Sequence, residues 1–526
     1  MSNPRRYSGS AETDGSCGSR ERLGSQPRNS ILVETARGAG WTIGWRLLTR
    51  ALGIISTLIL VRLLVPDDFG LVALATGLSG GVHAFSALGI DEAVIRQKST
   101  NGEVYDTAFT INLIRGAITA LIVVSSAGFV STFFNEPRLA PILLVLGVCI
   151  FITSFENIGT IEFRRNFRFD KEFRLLLLPR LAGIVVSIGS ATIWHSYWAL
   201  IGGIVTGQII TTLTGYLMHP YRPHLCLAAW RQLAGFSIWS WAISIAIMIR
   251  DRVDDFVIGK LLGIAQVGIY SVGAEIGLAP TYELAAPLSR ACFSGFASAI
   301  RGDADIVPTY LRILASVMLV VLPIGTGLTL VAAPLVILAF GPAWIAATNV
   351  VRILGVSGVM LAPGLITTVL LSAHGLLRSG FFINILSMTV RAIGAFALVS
   401  FFGLAGAATA HALTIMIENG SYVVVAFRRF GVRAPDVFLL IWRGLHATAA
   451  MIAGLTLTGL GNDITSPLWS LVAAVVVGAG VYVFVLVGSW FLCGRPPGGE
   501  RDLFALASQM IVYPGRPRLN WMRRGG

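Results

Sequence analysis

Long apolar segments separated by short polar ones run through most of the chain. A membrane-spanning helix needs about 20 consecutive, mainly apolar residues. Segments of that length predict an all-α polytopic membrane protein with fourteen transmembrane helices. The predicted helices lie at 38–64, 69–90, 107–133, 140–162, 173–193, 197–218, 232–250, 264–289, 309–336, 345–373, 379–400, 404–427, 437–459 and 467–492.

One turn sequence occurs twice. Arg62-Leu-Leu-Val-Pro-Asp-Asp-Phe-Gly70-Leu is repeated as Lys260-Leu-Leu-Gly-Ile-Ala-Gln-Val-Gly268-Ile. Each copy has a cation, two leucines and, eight residues after the cation, a glycine. Each copy joins two membrane-length segments, and glycine allows a tight turn and a close helix contact. We therefore assign Gly70, Gly268 and the nearby Asp254 as turn or gating positions.

The similarity continues beyond this turn and divides the chain into two halves. Ile114–Val124 aligns with Leu311–Val321, and Arg180 falls near Arg391. Six helices separate the copies, so both should have the same orientation, related by an axis along the membrane normal. The predicted regions are a disordered tail (1–37), a first half (38–218), a second half (219–431), an added helix pair (432–492) and a second tail (493–526).

Composition and charge agree with a membrane protein. Hydrophobic residues make up 55% of the chain and charged residues 13%, and the formal net charge is +13. Arginines concentrate in the two tails and in alternate loops, which predicts that both termini are cytoplasmic and that no nucleic acid is bound. A predicted loop at 251–263 departs from this pattern, because it holds Arg252 and Lys260 balanced by aspartates. The first segment serves as the insertion signal, since no cleavable signal peptide precedes it.

The sequence around the first turn motif resembles a known family. Trp41, the Arg62 motif, Leu88-Gly-Ile-Asp-Glu-Ala-Val-Ile-Arg-Gln and Phe134-Asn-Glu-Pro-Arg-Leu resemble the Wzx-type oligosaccharide flippases. These form the polysaccharide-transporter branch of the multidrug/oligosaccharidyl-lipid/polysaccharide exporter superfamily. The second half is similar to the family at Asp254-Asp-Phe-Val-Ile-Gly-Lys-Leu-Leu-Gly. The resemblance covers about Gly38 to Gly431.

The resemblance implies a bacterial cytoplasmic-membrane protein that flips undecaprenyl-diphosphate-linked oligosaccharide units to the periplasmic leaflet. Two six-helix lobes would enclose a cavity and alternate in access, and polysaccharide polymerase machinery would act downstream. Close alternatives are a peptidoglycan lipid-precursor flippase and a multidrug exporter. A membrane glycan polymerase is the third alternative, although no large loop exists to carry its chemistry. The sequence contains no enzyme, cofactor or metal motif, and nothing in it implies an oligomer.

Arginines inside apolar segments are the candidate substrate-binding residues. Each ionisable side chain at the centre of a membrane helix costs about 2.5–3.5 kcal/mol on insertion scales. Arg46 and Arg50 share one helix face with Gly53 and Thr57 and form a polar stripe. One guanidinium group can bind two phosphate oxygens at once, and this bidentate geometry suits a lipid diphosphate. The remaining candidates are Arg115, Arg180, Arg352 and Arg391. The alternatives are snorkelling to the headgroups, above all for Arg46, or pairing with Glu156, Glu275 or Glu418 to hold helices together.

Two carboxylates are candidates for ion coupling. Glu275 and Glu418 lie in the middle of predicted helices, where desolvation favours proton uptake. His411 and Gln208 are assigned to hydrogen bonds between helices. Aromatic residues at predicted outer helix ends are assigned to the aromatic belt: Trp194, Tyr197, Trp198, Trp344 and Trp469.

Overall fold

The fold was analysed in a computed structural model. The structure describes residues 48–86, 94, 102–165, 168–230, 238–301, 305–461, 464, 466–495 and 499–501. Within these ranges every regular element is helical, which confirms the all-α class. Arg46 and most of both predicted tails lie outside the described residues.

The helices are numbered here in chain order. Helix α1 is described over 48–63. It is followed by α2 (Pro66–Ser86), α3 (Gly102–Phe134), α4 (Leu139–Thr153), α5 (Phe169–Trp194), α6 (Trp198–Met218), α7 (Ile238–Leu261) and α8 (Ile264–Arg301). Next come α9 (Val307–Leu330, continued by Ala332–Phe340) and the bent pair α10 (Ala347–Gly358 and Leu361–Ala373). The element Leu377–Phe430 is divided at Gly403 into α11 and α12, and α13 (Ala434–Thr458) and α14 (Pro467–Leu492) follow.

Several of these helices are built to cross a membrane. Among the described residues, seven are long and apolar enough, and the α10 pair, bent by 41°, makes eight if it counts as one span. This number counts α11 and α12 as one helix, and the total of fourteen spans stays a prediction. Large apolar side chains cover the outside of the bundle, as at Leu217, Phe401, Leu457 and Leu492, each more than 80% exposed. Such a surface requires lipid, so the chain is a multi-pass membrane protein.

The prediction of a loop at 251–263 is wrong. Helix α7 continues to Leu261, and the hairpin is reduced to Leu262 and Gly263. Asp254 is therefore a residue of a helix, where it is 1% exposed, and does not lie at a turn. The charged side chains are accommodated because each has a partner: Asp254 pairs with Arg391 of another helix, Asp251 and Arg252 each pair with a neighbour within α7, and Lys260 binds a backbone carbonyl. Hydropathy does not register this compensation.

The two motif glycines bring the two halves into backbone contact. A Cβ atom added to Gly70 would overlap the carbonyl of Ile264 and approach the amide nitrogen of Gly268. A Cβ atom added to Gly268 would overlap the carbonyl of Pro66. The first turns of α2 and α8 thus pack at a distance that only glycine permits at both positions. Helix α2 packs along both α7 and α8.

The two motif cations make equivalent contacts with the opposite half. Arg62 donates from Nε to the carbonyl of Ala339 at 3.0 Å and from Nη2 to the carbonyl of Leu338, at the end of α9. Lys260 donates from Nζ to the carbonyl of Phe133 at 2.6 Å, at the end of α3. Each capped helix is followed by a residue with positive φ, Asn135 after α3 and Gly341 after α9. A cation at a helix C-terminus satisfies free carbonyls and complements the helix dipole. We call this pair of contacts the reciprocal caps.

Trp344 also joins the halves, so its assignment to the aromatic belt is wrong. It is 1% exposed, and its Nε1 donates to the carbonyl of Val61 at 3.2 Å. Its ring packs edge-on against Phe69, with 5.4 Å between centroids. Trp194 and Trp469 are exposed, as a belt requires. The glycine contact, the reciprocal caps and Trp344 close the bundle at the end where the hairpins lie.

Removing the reciprocal caps should loosen this closed end. Each cap contributes on the order of 0.3–1 kcal/mol. Arg62→Ala or Lys260→Ala should therefore shift the equilibrium between the closed and open arrangements of this end modestly toward the open one, and the double variant should shift it further. Spin labels at Val65 and Ile345, which are exposed at this end in opposite halves, would measure the separation. We expect a longer-distance population that grows from single to double variant.

Arg174→Ala is the matched control, because Arg174 is exposed and lies near Asp170 of its own helix. It should leave the distance distribution unchanged. A double variant with the wild-type distribution would contradict a holding role for the reciprocal caps.

Candidate substrate cavity and the charged residues around it

A cavity of about 290 Å³ lies between the two halves. Helices α1, α2, α5 and α6 form one side of it and α8 forms the other. Its lining is apolar apart from several hydroxyl groups and one carboxylate. The lining residues are Thr57, Phe69, Val72, Ala73, Thr76, Ser187, Leu200, Ile204, Ser271, Val272 and Glu275.

The polar stripe predicted on α1 leads to this cavity. Arg50, Gly53 and Thr57 follow one another at intervals of three and four residues, so they share a helix face. Thr57 lines the cavity, and Arg50 lies two turns before it. Arg46, the first member of the predicted stripe, lies outside the described residues.

Arg50 contacts two carboxylates of the opposite half. Its Nε lies 2.8 Å from Oε1 of Glu283, and its Nη1 lies 3.5 Å from Oε1 of Glu275. The Nε atom is buried, and its N–H bond is not aligned for a hydrogen bond. We therefore treat the contact with Glu283 as an ion pair without directed hydrogen bonding. The three side chains remain between 35% and 43% exposed, so this is a partly open ion-pair cluster.

A second arginine lies against the same face of α1. A Cβ atom added to Gly53 would overlap the guanidinium of Arg180, which extends from α5. Gly53 therefore provides the space that this guanidinium occupies. Ser187, two turns after Arg180 on α5, lines the cavity. Arg50 and Arg180 thus border Gly53 from two helices of the first half.

Arg391 occupies a different environment, inside the second half. Its guanidinium pairs with Asp254, at 2.9 Å from Nε to Oδ1 and 2.7 Å from Nη2 to Oδ2. Tyr270 donates to the same carboxylate and lies 3.0 Å from Nδ1 of His411. Helices α7, α8, α11 and α12 each contribute one member. The hydrogen bond between helices predicted for His411 is present, and Arg391 contacts Asp254 instead of the glutamates considered from the sequence.

Glu418 is held in a neighbouring ion pair. Arg250 of α7 lies 2.6 Å and 2.7 Å from its two carboxylate oxygens, and Arg250 also contacts Asp251. The two predicted coupling carboxylates are therefore in unlike environments. Glu275 faces the cavity, whereas Glu418 is bound by a guanidinium between α7 and α12.

Arg115 and Arg352 are not among the residues that line the cavity. Arg115 donates to Asn112 on its own helix. The backbone carbonyl of Arg352 accepts a hydrogen bond from Thr329 at 3.0 Å. Their roles in substrate binding remain predictions, as do those of Arg50, Arg180 and Arg391.

Sequence reasoning missed Glu283 and Arg250. Glu283 lies eight residues after Glu275 on α8, and a carboxylate two turns further along the same helix was a usable signal. The sequence predicts a helix at 232–250 that ends at Arg250. Because α7 continues to Leu261, Arg250 lies near its middle.

Comparison with known proteins identifies relatives of this fold and sequence. The family described as "Polysaccharide biosynthesis protein" matches residues 59–350. The chain is 24% identical over 339 residues to the lipopolysaccharide biosynthesis protein WzxC of Escherichia coli, covering 64% of this chain and 69% of WzxC. It is 24% identical over 330 residues to the succinoglycan biosynthesis transport protein ExoT of Rhizobium meliloti, covering 62% of this chain and 67% of ExoT.

Solved structures share the fold. The inward closed conformation of the lipid II flippase MurJ matches with a TM-score of 0.73 and 13% identity, covering 86% of this chain and 99% of that one. An inward-facing multidrug resistance transporter of the MATE family and MOP superfamily matches with a TM-score of 0.57 and 16% identity, covering 73% of this chain and 94% of that one. At these identities the likeness establishes the fold alone, an all-α arrangement that this chain shares with both proteins.

Breaking the Arg391–Asp254 pair should destabilise the second half strongly. Arg391→Ala leaves the buried Asp254 carboxylate without its cation and with only the Tyr270 hydroxyl as donor, which costs about 3–5 kcal/mol. The double variant Arg391→Leu/Asp254→Leu removes both charges and should recover most of that loss. Thermal unfolding of the purified protein in detergent would measure both. A single variant as stable as wild type would contradict a structural role for this pair.

Proposed function

The chain belongs to the polysaccharide biosynthesis protein family, and from that premise we propose that it flips undecaprenyl-diphosphate-linked oligosaccharide units from the cytoplasmic to the periplasmic leaflet. The units would then enter exopolysaccharide or lipopolysaccharide biosynthesis. The protein acts as a transporter and not as an enzyme. It resides in the bacterial inner membrane with both termini in the cytoplasm.

One observation carries the proposal: two guanidinium groups border the polar wall that leads into the cavity. Arg180 lies against Gly53, three residues after Arg50 on α1, and Thr57 and Ser187, further along α1 and α5, line the cavity. A diphosphate carries about two negative charges and cannot enter an apolar interior without cationic partners. Arginines that are still partly exposed can accept such a group, whereas the 5% exposed Arg391 already has its partner.

The closed end of the bundle supports alternating access. The reciprocal caps, the glycine contact and Trp344 all lie at the end that the arginine distribution assigns to the periplasm. Transport would require these contacts to open after the cargo has entered from the cytoplasmic side. The reciprocal caps, the glycine contact and Trp344 involve helix ends and first turns, so these contacts could break without unfolding the helices of either half.

The names of the relatives agree with this assignment. WzxC is named for lipopolysaccharide biosynthesis, and ExoT is named as a transport protein of succinoglycan biosynthesis. Both names concern the biosynthesis of a bacterial polysaccharide. Together with the positions of Arg50 and Arg180 beside the polar face that leads to the cavity, these names favour a sugar-carrying lipid diphosphate as the transported species.

Arg50 provides the direct test in cells. Arg50→Ala removes a cationic partner of the diphosphate, and we expect surface polysaccharide to fall at least tenfold at unchanged protein abundance in the membrane. Arg50→Lys retains the charge but loses the planar fork, so partial export should remain. Deletion of the gene should cause lipid-linked repeat units to accumulate, which mass spectrometry of extracted lipids would identify.

Arg174→Ala is again the matched control and should export normally. Normal export by Arg50→Ala would exclude a cargo role for this residue. A deletion strain with unchanged surface polysaccharide would overturn the proposed function, and failure to grow would indicate a peptidoglycan precursor as cargo.

A further inference from the structure

Two glutamate carboxylates already pair with Arg50, the arginine that the proposed cargo would have to bind. Glu283 and Glu275 lie 2.8 Å and 3.5 Å from nitrogen atoms of Arg50. Both belong to α8 of the second half, whereas Arg50 belongs to α1 of the first. The cluster therefore bridges the two halves. It lies about 18 Å along α1 from Arg62, the residue of the reciprocal caps, at 1.5 Å per residue.

The occupants resemble the expected cargo in chemical terms. Two carboxylates present anionic oxygens with up to two negative charges, as a diphosphate does, and guanidinium binds both classes of oxygen. One guanidinium cannot satisfy both sets at once, and the two anions would repel each other in a space of low polarity. A diphosphate at Arg50 must therefore displace at least one glutamate.

The contacts of Arg50 with the two glutamates are not ideal, so a ligand with better-placed oxygens could bind Arg50 more strongly. The Nε–H of Arg50 is buried and is not aligned on any acceptor, and the Glu275 contact is long for a hydrogen bond. A phosphate group has more acceptor oxygens at one centre, and Arg180 lies beside Gly53 to supply a second cation. An ion pair with side chains more than a third exposed is also weak, typically below about 1 kcal/mol.

We propose that Glu283 and Glu275 act as internal substitutes for the diphosphate, so that cargo binding and release of the bridge between the halves are one event. This inference rests on the proposed function, because it takes the lipid diphosphate as the displacing ligand. Without cargo, the glutamates neutralise Arg50 and hold α8 against α1. With cargo, Arg50 stays bound to an anion, but that anion no longer belongs to the second half.

The test measures the distance between α1 and α8 while a diphosphate is added. The full chain, with its five cysteines replaced by alanine, would carry spin labels at Ile55 and Tyr282, two exposed positions. The probes are inorganic pyrophosphate and undecaprenyl diphosphate, added to protein in lipid nanodiscs. We expect both probes to widen the distance distribution, the lipid at lower concentration. A response to inorganic pyrophosphate alone would overturn the lipid assignment.

Glutamine variants supply the quantitative test. Glu283→Gln removes the nearer competitor, so the pyrophosphate concentration at half-effect should fall about fivefold, which corresponds to about 1 kcal/mol. Glu275→Gln should lower it less, because its carboxylate is farther from Arg50. Arg50→Ala should show a widened distribution without probe and no further response. Glu103→Gln, an exposed carboxylate at the start of α3, is the control and should match wild type.

The outcomes separate this proposal from the proposed function. Unchanged half-effect concentrations in both glutamine variants would overturn the competition, and a wild-type response in Arg50→Ala would assign the probe to another site. If pyrophosphate and lipid both leave the distance unchanged while Arg50→Ala abolishes export in cells, the substitution proposal fails and the flippase proposal stands. Unchanged surface polysaccharide in the deletion strain would remove the flippase proposal whatever the labels show.

Discussion

A charge placed among membrane helices must have a partner, and this constraint organises the protein. Arg391 and Asp254 satisfy it completely, since both are nearly inaccessible and the pair lies inside one half. Arg250 and Glu418 satisfy it similarly between α7 and α12. Arg50 satisfies it only in part, with partners that belong to the other half. The first two pairs therefore fix the shape of a half, whereas the third can be exchanged.

The backbone supplies the fixed frame around these charges. Gly70 and Gly268 allow α2 and α8 to meet at their first turns, and from that contact the helices enclose the cavity with α1 and α5. Helix α2 also packs along α7, as at Gly81 and Met248, so the contact between the halves continues along α2 from that end. The bridge at Arg50 joins α1 to α8 beyond the cavity from the glycine contact, so it holds the halves together at a second place.

Much of this arrangement follows from sequence reasoning, and the failures share a cause. Apolar length located the helices, and the repeated turn identified the two glycines that meet. The segment 251–263 was misassigned because its charges look solvent-exposed until Arg391, more than a hundred residues away, is placed beside Asp254. Trp344 was misassigned because a tryptophan at a helix end has the same local signature in a lipid belt and in a contact between halves. Partners across helices are not encoded in local periodicity, so the binding roles of Arg50 and Arg180 also stay predictions.

The reciprocal caps have an evolutionary consequence. Arg62 and Lys260 donate to backbone carbonyls, and those acceptors remain whatever side chains occupy Phe133, Leu338 and Ala339. Selection can change the cation, but no partner side chain exists whose substitution could compensate for that change. Analyses that infer proximity from correlated substitutions would therefore be blind to the contacts that close this end, even if they hold in every relative. Two positions that vary independently in an alignment can still be the ones that hold two halves of a transporter together.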